Sequence, residues 1–92
     1  MLKQLPDHLK QSGQSAVFTD QTTPNAILNW HTTKPNVWGK IVILKGGAAY
    51  EILTDPVEKI QLSPKFCGFI EPEQPHRLLP QENTEFQILF FK

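Results

Sequence analysis

The chain has 92 residues, which is the size of one small domain and too short to add a separate catalytic domain. Nine basic and nine acidic residues cancel to a formal charge of zero. No run of lysine and arginine occurs that would attract nucleic acid or an anionic membrane. The longest apolar runs, Ile41–Leu44 and Ile88–Phe91, are far shorter than the roughly 20 residues of a membrane helix.

The location of the protein is predicted from its N-terminus and its cysteine content. Residues Met1–Pro6 lack the basic start and apolar core of a signal peptide. The single cysteine, Cys67, cannot form a disulfide within the chain, which agrees with a reducing compartment. We therefore expect a cytoplasmic protein that has neither nucleic acid nor a membrane as its partner.

The first part of the chain, Met1–Gln21, mixes polar and apolar residues with no sustained period. Leucines recur there at helical spacing, but Pro6 lies among them and weakens a helix. We predict a loosely ordered arm over residues 1–23, with an edge strand at Ser15–Phe18. The apolar side chains of Met1–Phe18 also predict that the protein pairs with itself as a homodimer.

Beyond the arm, short apolar segments alternate with turn residues, which is typical of antiparallel β structure. The predicted strands are Ala26–Thr32, Trp38–Leu44, Ala48–Leu53, Val57–Leu62, Phe66–Ile70, Leu78-Leu79 and Thr84–Phe91. Because Gly46-Gly47 can supply the positive φ angles of a tight hairpin, we expect the strands on either side of it to pair directly. We expect the last strand to be buried on both faces.

This rhythm of short strands without a convincing helix predicts an all-β fold. The cysteine and tryptophan spacing of an immunoglobulin core is absent, and closing the sheets would hide strand edges that otherwise aggregate. We predict a single domain over residues 1–92, in which residues 24–92 form a cupin-like jelly-roll β-barrel or sandwich of antiparallel strands. The mouth of such a barrel can collect a metal ion or a small ligand.

The candidate chemistry lies in Glu71–Arg77, where carboxylates, an imidazole and a guanidinium occur between prolines. Imidazole and carboxylate ligands suit divalent Zn, Fe, Ni or Mn. We predict that His31, Glu73 and His76 hold such a metal. We prefer Glu73 to Glu71 because it precedes His76 by three residues, and the neighbouring prolines can supply the bend that this pairing needs.

A ligand pocket is predicted beside this metal site, with Trp38, Glu71 and Arg77 as its lining. Structural explanations of the same residues stay open. His31 and His76 are also consistent with histidines that are hydrogen-bonded to their neighbours, Trp38 with a packing residue, and Arg77 with a surface ion pair.

Three motifs, in this order along the chain, resemble a known family. They are His31–Lys34, Trp38–Gly46 and Ile70–Arg77. Together they resemble the N-terminal region of tellurite resistance protein B, and the small stand-alone proteins of the same cupin-like family, typified by YeaR. The resemblance implies a cupin-like β-barrel whose biochemistry is largely uncharacterised.

Carried over by position, the resemblance implies the same three candidate ligands. His31 and His76 match the two histidines of the family, and Glu73 falls where members carry glutamate or glutamine. Pro75 departs from the pattern, because an aromatic residue usually precedes the second histidine. The methyltransferase domain of tellurite resistance protein B is not expected in this chain, and no glycine-rich cofactor loop occurs, so neither methyl transfer nor a nucleotide cofactor is implied.

The sequence leaves two hypotheses about function. The first is a binding or sensory module that takes a metal ion or a small anionic ligand in the barrel mouth and is linked to resistance to tellurite or oxidative stress. The second is a small metalloenzyme of the dioxygenase or isomerase type, in which His31, Glu73 and His76 hold a divalent metal and leave positions open for a substrate. Whether the protein is an enzyme at all stays open.

Overall fold

Eight strands and one single-turn helix account for the regular structure of the protein. The computed structural model describes residues Met1–Lys92. The elements are β1 (Gln11–Gln14), β2 (Phe18–Thr19), α1 (Asn25–Leu28), β3 (Trp38–Lys45), β4 (Ala48–Ile52), β5 (Glu58–Leu62), β6 (Gly68–Ile70), β7 (His76–Pro80) and β8 (Glu85–Phe91). All strand pairs are antiparallel, which confirms the predicted all-β antiparallel fold. The helix has only four residues and is not long and apolar enough to cross a membrane.

The strands form two sheets that share one core. The first sheet has the order β1-β8-β3-β6, with β2 also paired to β8, and the second has the order β5-β4-β7. Ten buried apolar side chains from both sheets form a single cluster: Ile41, Ile43, Ala48, Tyr50, Ile52, Leu62, Ile70, Leu78, Phe86 and Ile88. Two sheets that bury their inner faces against each other are the arrangement of a β-sandwich.

Strand β8 illustrates how the side-chain alternation of a strand decides which residues enter the core. Phe86 and Ile88 are buried, whereas Gln87, which lies between them, and Leu89, which follows them, are half-buried. Successive side chains of a strand point to opposite faces, and only one face of this sheet meets the second sheet. The expectation that this strand is buried on both faces is therefore wrong.

The connection between β3 and β4 is a crossover between the two sheets. Strand β3 pairs with β6 and β8, whereas β4 pairs with β5 and β7. Both strands lie where the sequence predicts them, and Gly46 has a φ angle of 78°, but the predicted direct pairing of the two strands is wrong. A glycine turn serves a corner between packed sheets as well as a hairpin, so the turn residues do not distinguish the two.

The segment predicted as the first strand, Ala26–Thr32, instead forms helix α1 followed by one isolated β-bridge. The Ile27 amide donates to the carbonyl of Pro24 at 2.9 Å, so the backbone turns at the position where an extended chain was expected. The Asn29 side chain then donates back to the carbonyl of Asn25 at 2.7 Å. Such local side-chain bonds to the backbone compete with strand pairing, and only His31 of this segment forms a β-bridge.

The arm at the start of the chain carries two short strands that pair with β8. The edge strand predicted at Ser15–Phe18 overlaps β2 only at Phe18, but Ser15 also bonds to β8. Its amide donates to the carbonyl of Ile88 at 2.8 Å, and its hydroxyl accepts from the Ile88 amide at 2.9 Å. The self-association predicted through Met1–Phe18 stays a prediction.

One buried hydroxyl holds the crossover between the sheets in place. Thr84 is fully buried, and its hydroxyl donates to the Gly47 carbonyl at 2.6 Å while accepting from the Gly47 amide at 3.1 Å. At Gly46, a Cβ atom would lie only 2.7 Å from the Thr84 hydroxyl oxygen. The corner therefore depends on a glycine without a side chain and on a threonine that satisfies the backbone of the next residue.

Replacing Thr84 with valine removes this hydroxyl and keeps the shape of the side chain. We expect Thr84→Val to lower the free energy of unfolding by about 1–3 kcal/mol, because the buried Gly47 amide is left without an acceptor. Thr84→Ser keeps the hydroxyl and loses only a methyl group, so we expect a loss of about 1 kcal/mol or less. Urea denaturation of both variants measures the difference, and a serine variant less stable than the valine variant would contradict the role of the hydroxyl.

Candidate functional site

Two histidines from distant parts of the chain meet at the edge of the second sheet. His31 forms the isolated β-bridge with His76 at the start of β7, and the His31 and His76 amides donate to each other's carbonyls at 3.1 Å and 2.9 Å. Their ring centroids lie 4.3 Å apart. His76 is only 2% exposed, and the Tyr50 ring meets it edge-on at 5.9 Å. The structure thus brings together the two histidines that the sequence singles out.

Both imidazoles turn the same ring nitrogen toward the backbone. Nδ1 of His31 lies 2.8 Å from the Asn29 carbonyl, and Nδ1 of His76 lies 2.7 Å from the Gln74 carbonyl. A carbonyl oxygen can only accept, so each Nδ1 carries the hydrogen of its bond. In the neutral ring, Nε2 then keeps a free lone pair, as it does in histidines that bind metals or accept a hydrogen from a ligand.

Burial sets the charge of the second histidine. Burial lowers the pKa of His76 below its ordinary value of 6.5, and the neighbouring His31 lowers it further, while the hydrogen bond to the Gln74 carbonyl acts in the opposite direction. The net direction is downward because a charged imidazole loses more hydration than one hydrogen bond returns. His76 is therefore neutral at pH 7.

The histidine pair lines a cavity of about 630 Å³, here named the histidine cavity, in which His76 is the only lining residue on a strand of the second sheet. Its apolar lining includes Phe18 of β2 together with Ile88 and Phe90 of β8. The exposed lysines Lys34 and Lys92 also belong to its lining. No aspartate or glutamate lines it, so its titratable side chains are all basic.

Glu73 does not join the histidines. It is exposed, has a φ angle of 61° in the turn between β6 and β7, and does not line the histidine cavity. The predicted bend is present, since the Gln74 amide donates to the Glu71 carbonyl at 3.4 Å, but it leaves Glu73 at the surface. Nowhere in the structure do three or more His, Cys, Asp or Glu side chains assemble to hold a metal ion. The residues present do not fit the predicted three-ligand metal set.

None of the three residues predicted to line a ligand pocket lines the histidine cavity. Trp38 lies half-buried beside Leu2 and Leu5 of the N-terminal arm. Glu71 is exposed. Arg77 donates from Nε to a Glu51 carboxylate oxygen at 2.7 Å, so the ion pair that the sequence leaves open as an alternative is the one present.

Sequence reasoning missed the apolar wall and the basic groups of the cavity. Phe18, Lys34 and Lys92 come from widely separated parts of the chain, and no spacing in a single sequence links them. The one available signal is the motif His31–Lys34. Within it, Thr33 lines the cavity, and its hydroxyl oxygen is buried without any hydrogen-bond partner in the protein.

Three side chains, Glu51 of β4, Arg77 of β7 and Trp30 of the segment after α1, tie together the two segments that carry the histidines. Glu51 is buried and accepts the hydrogen bond from Arg77, and the Arg77 guanidinium lies 4.4 Å from the centre of the Trp30 ring. A guanidinium at this distance is attracted by the face of an indole. Trp30 precedes His31 and Arg77 follows His76, so this cluster supports the bridge between the histidines.

The fold and the site define a small all-β domain of two antiparallel sheets with a cavity lined by two histidines. The chain belongs to the TehB-like domain family, whose model matches residues 13–88. That range includes both histidines of the bridge.

Two solved structures are similar to this chain. TehB from Haemophilus influenzae is 27% identical with a TM-score of 0.82, and the similarity covers 92% of this chain and 32% of that protein. This chain therefore spans about a third of the length of TehB. A protein from E. coli strain K12 is 24% identical with a TM-score of 0.88 over 100% of this chain and 97% of that one, which shows a common fold. No curated protein matches the chain.

The lowered pKa of His76 predicts how stability depends on pH. The unfolded chain binds a proton on this residue near pH 6.5, whereas the folded chain binds it only at lower pH. The contribution of His76 to the free energy of unfolding is therefore greatest above pH 6.5. It decreases as the pH falls toward the pKa of the folded state, by at most about 1.4 kcal/mol per pH unit. Urea denaturation between pH 5 and 8 measures this loss, and an NMR titration of the imidazole gives the pKa directly.

Two variants test whether His76 causes this pH dependence. His76→Gln removes the group and should flatten the stability profile below pH 6.5. His8→Gln changes an exposed histidine of the arm and should keep the wild-type profile. A His76 resonance that titrates above 6.5 would show that burial does not control this residue.

The ion pair beneath Trp30 predicts a second effect on stability. Arg77→Met leaves the buried Glu51 carboxylate without its partner and should lower the free energy of unfolding by about 1.5–3 kcal/mol. The loss stays below that of a fully buried pair because the Arg77 side chain is 33% exposed. The amide of His31 should also exchange with solvent faster in this variant, because the bridge to His76 loses its support.

Lys59 provides the matched control for this test. It lies directly opposite Glu51 on β5 but is exposed and forms no ion pair with it. Lys59→Met should therefore change stability by no more than about 0.5 kcal/mol. Equal losses in the two variants would mean that the specific Arg77 contact contributes nothing.

Proposed function

We propose that this domain binds a small anionic ligand in the histidine cavity. The observation that carries the proposal is the set of titratable side chains in the lining, which are two imidazoles and two lysines with no aspartate or glutamate. A cavity of one sign of charge with low-dielectric walls concentrates ligands of the opposite sign. The domain would act as a binding or sensory module of a cytoplasmic protein.

The histidine pair would couple anion binding to protons. In the neutral state, Nε2 of each ring accepts a hydrogen from a hydroxyl of the ligand. A bound anion favours the charged imidazole and raises its pKa, so that Nε2–H becomes a donor to the anion. Binding then takes up protons, and the affinity falls as the pH rises through the pKa of the bound state.

The family supplies a biological context for the anion. Membership of the TehB-like family and the similarity to TehB support a link to tellurite resistance, and resistance to oxidative stress belongs to the same proposal. A cupin-like jelly-roll arrangement and a relationship to the YeaR-like stand-alone proteins are also proposed on the basis of the sequence motifs. Because the chain spans about a third of TehB, the activity of the whole of that protein is not assigned to it.

A change in thermal stability tests the anion proposal. Purified protein is screened against inorganic oxyanions and organic carboxylates at pH 6.0 and pH 8.0. An anion present at about 100 times its dissociation constant adds about 2.7 kcal/mol to folding, which raises the melting temperature of a domain of this size by about 10–20 °C, and the rise should be larger at pH 6.0. His76→Gln and Lys34→Met should each reduce it.

Lys45→Met is the control for these variants, because Lys45 is an exposed lysine of β3 that does not line the histidine cavity. It removes the same charge and should leave the response unchanged. The proposal fails if no anion of either kind stabilises the protein, or if the response persists in both His76→Gln and Lys34→Met.

A divalent metal is the second candidate, in a metalloenzyme of the dioxygenase or isomerase type. The hydrogen bonds from both Nδ1 atoms to backbone carbonyls support it, because they leave both Nε2 atoms available. Glu73 would have to leave the surface to complete the predicted set. Elemental analysis of protein purified without chelator distinguishes the two candidates. A stoichiometric metal that is lost in His31→Ala and His76→Ala favours the metal over the anion.

A further inference from the structure

The size of the histidine cavity bears on the kind of anion that it accepts. Its volume of about 630 Å³ equals that of about 20 water molecules in the liquid and lies within the range of small-molecule binding sites. An inorganic oxyanion has only a handful of non-hydrogen atoms. Such an ion would fill a minor part of the cavity and leave most of the wall without a contact.

The chemistry of the wall separates into two parts. Phe18, Ile88 and Phe90 belong to β2 and β8 of the first sheet and present apolar surface. The two histidines line the cavity from other elements, where the segment after α1 bridges to β7 of the second sheet. An ion surrounded by apolar side chains loses its hydration without compensation, whereas an apolar group at that wall gains from leaving water.

Few of the donor side chains in the cavity lining are shielded from solvent, because Ser12, Thr32 and both lysines are exposed. Besides the two imidazoles, the Thr33 hydroxyl is buried at the cavity without a hydrogen-bond partner in the protein. Buried polar atoms without partners are rare in folded proteins, so this hydroxyl is free to bind a ligand oxygen if its side chain turns toward the cavity. A few donors of this kind suit one carboxylate better than a multiply charged oxyanion, which needs more donors to replace its hydration.

We infer that the histidine cavity accepts an organic monoanion, with its carboxylate at His31, Thr33 and His76 and its aromatic or branched aliphatic body against Phe18 and Phe90. This inference rests on the proposed function, an anion site in the same cavity, and deepens it by naming the chemical class of the ligand. It also assigns the specificity to the apolar wall, which a site for an inorganic oxyanion would not need.

Calorimetric titration at pH 6.0 with a set of related compounds tests the inference. The probes are 3-phenylpropionate and 4-methylpentanoate, with acetate lacking the apolar body, 3-phenylpropionamide lacking the charge, and sodium tellurite and sodium sulfate as inorganic oxyanions. At least one of the two organic anions should bind at least tenfold more tightly than every one of these four comparison compounds.

Substitutions of residues that line the cavity test where the organic anion binds. Phe90→Ala should weaken binding of the organic anion at least fivefold, and Thr33→Val should weaken it to a similar extent by removing the hydroxyl alone. Phe91→Ala is the matched control, because Phe91 is the next residue of β8 and does not line the cavity. Phe18→Ala replaces Phe90→Ala if the latter does not fold, as judged from its amide NMR spectrum.

The outcomes separate this inference from the proposed function. Binding of tellurite or sulfate that exceeds binding of both organic anions, and that is lost in His76→Gln, overturns the inference and supports the anion site. Binding of 3-phenylpropionamide as tight as that of 3-phenylpropionate overturns both, because charge is then not recognised. Absence of binding by every anion also overturns both. If the organic anion binds equally well to Phe90→Ala and Thr33→Val, the inference is overturned, because the anion then binds outside the histidine cavity.

Discussion

The backbone bridge between His31 and His76 is the contact on which the rest of the site depends. Its two hydrogen bonds attach the segment after helix α1 to the free edge of β7, so that this segment covers the space between the two sheets. Edge strands expose unpaired backbone groups, and here the pairing that satisfies one of these edges also places two imidazoles side by side. The same contact therefore stabilises the fold and forms the candidate site.

The bridge has a polar support on one side and an apolar cavity on the other. On the outer side, Arg77 joins the buried Glu51 to the face of Trp30. On the inner side, His76 is buried among apolar groups, which lowers its pKa and keeps it neutral at pH 7. A neutral ring whose Nδ1–H is already bonded presents a free Nε2 lone pair, so the same geometry is consistent with a proton-coupled anion site and with a metal ligand.

Local patterns predicted much of the strand structure, while long-range contacts were predicted only in part. The strands from Trp38 onward lie close to their predicted positions, because alternation of apolar residues and turn chemistry are properties of neighbouring residues. The pairing of β3 with β8 instead of β4 is not visible there, since Gly46 serves a sheet corner as well as a hairpin. Helix α1 was missed because a single turn bonded by Asn25 and Asn29 leaves no helical period to detect.

For the site, the sequence by itself determined that His31 and His76 are the residues to examine, because imidazoles are few and both fall in motifs of the family. Only the tertiary structure decided their partners. It left Glu73 in an exposed turn and assembled the cavity wall from residues as distant as Phe18 and Phe90, because packing of two sheets joins side chains that no sequence spacing relates. The lining, with its basic side chains and no aspartate or glutamate, is therefore a property of the fold and not of any motif.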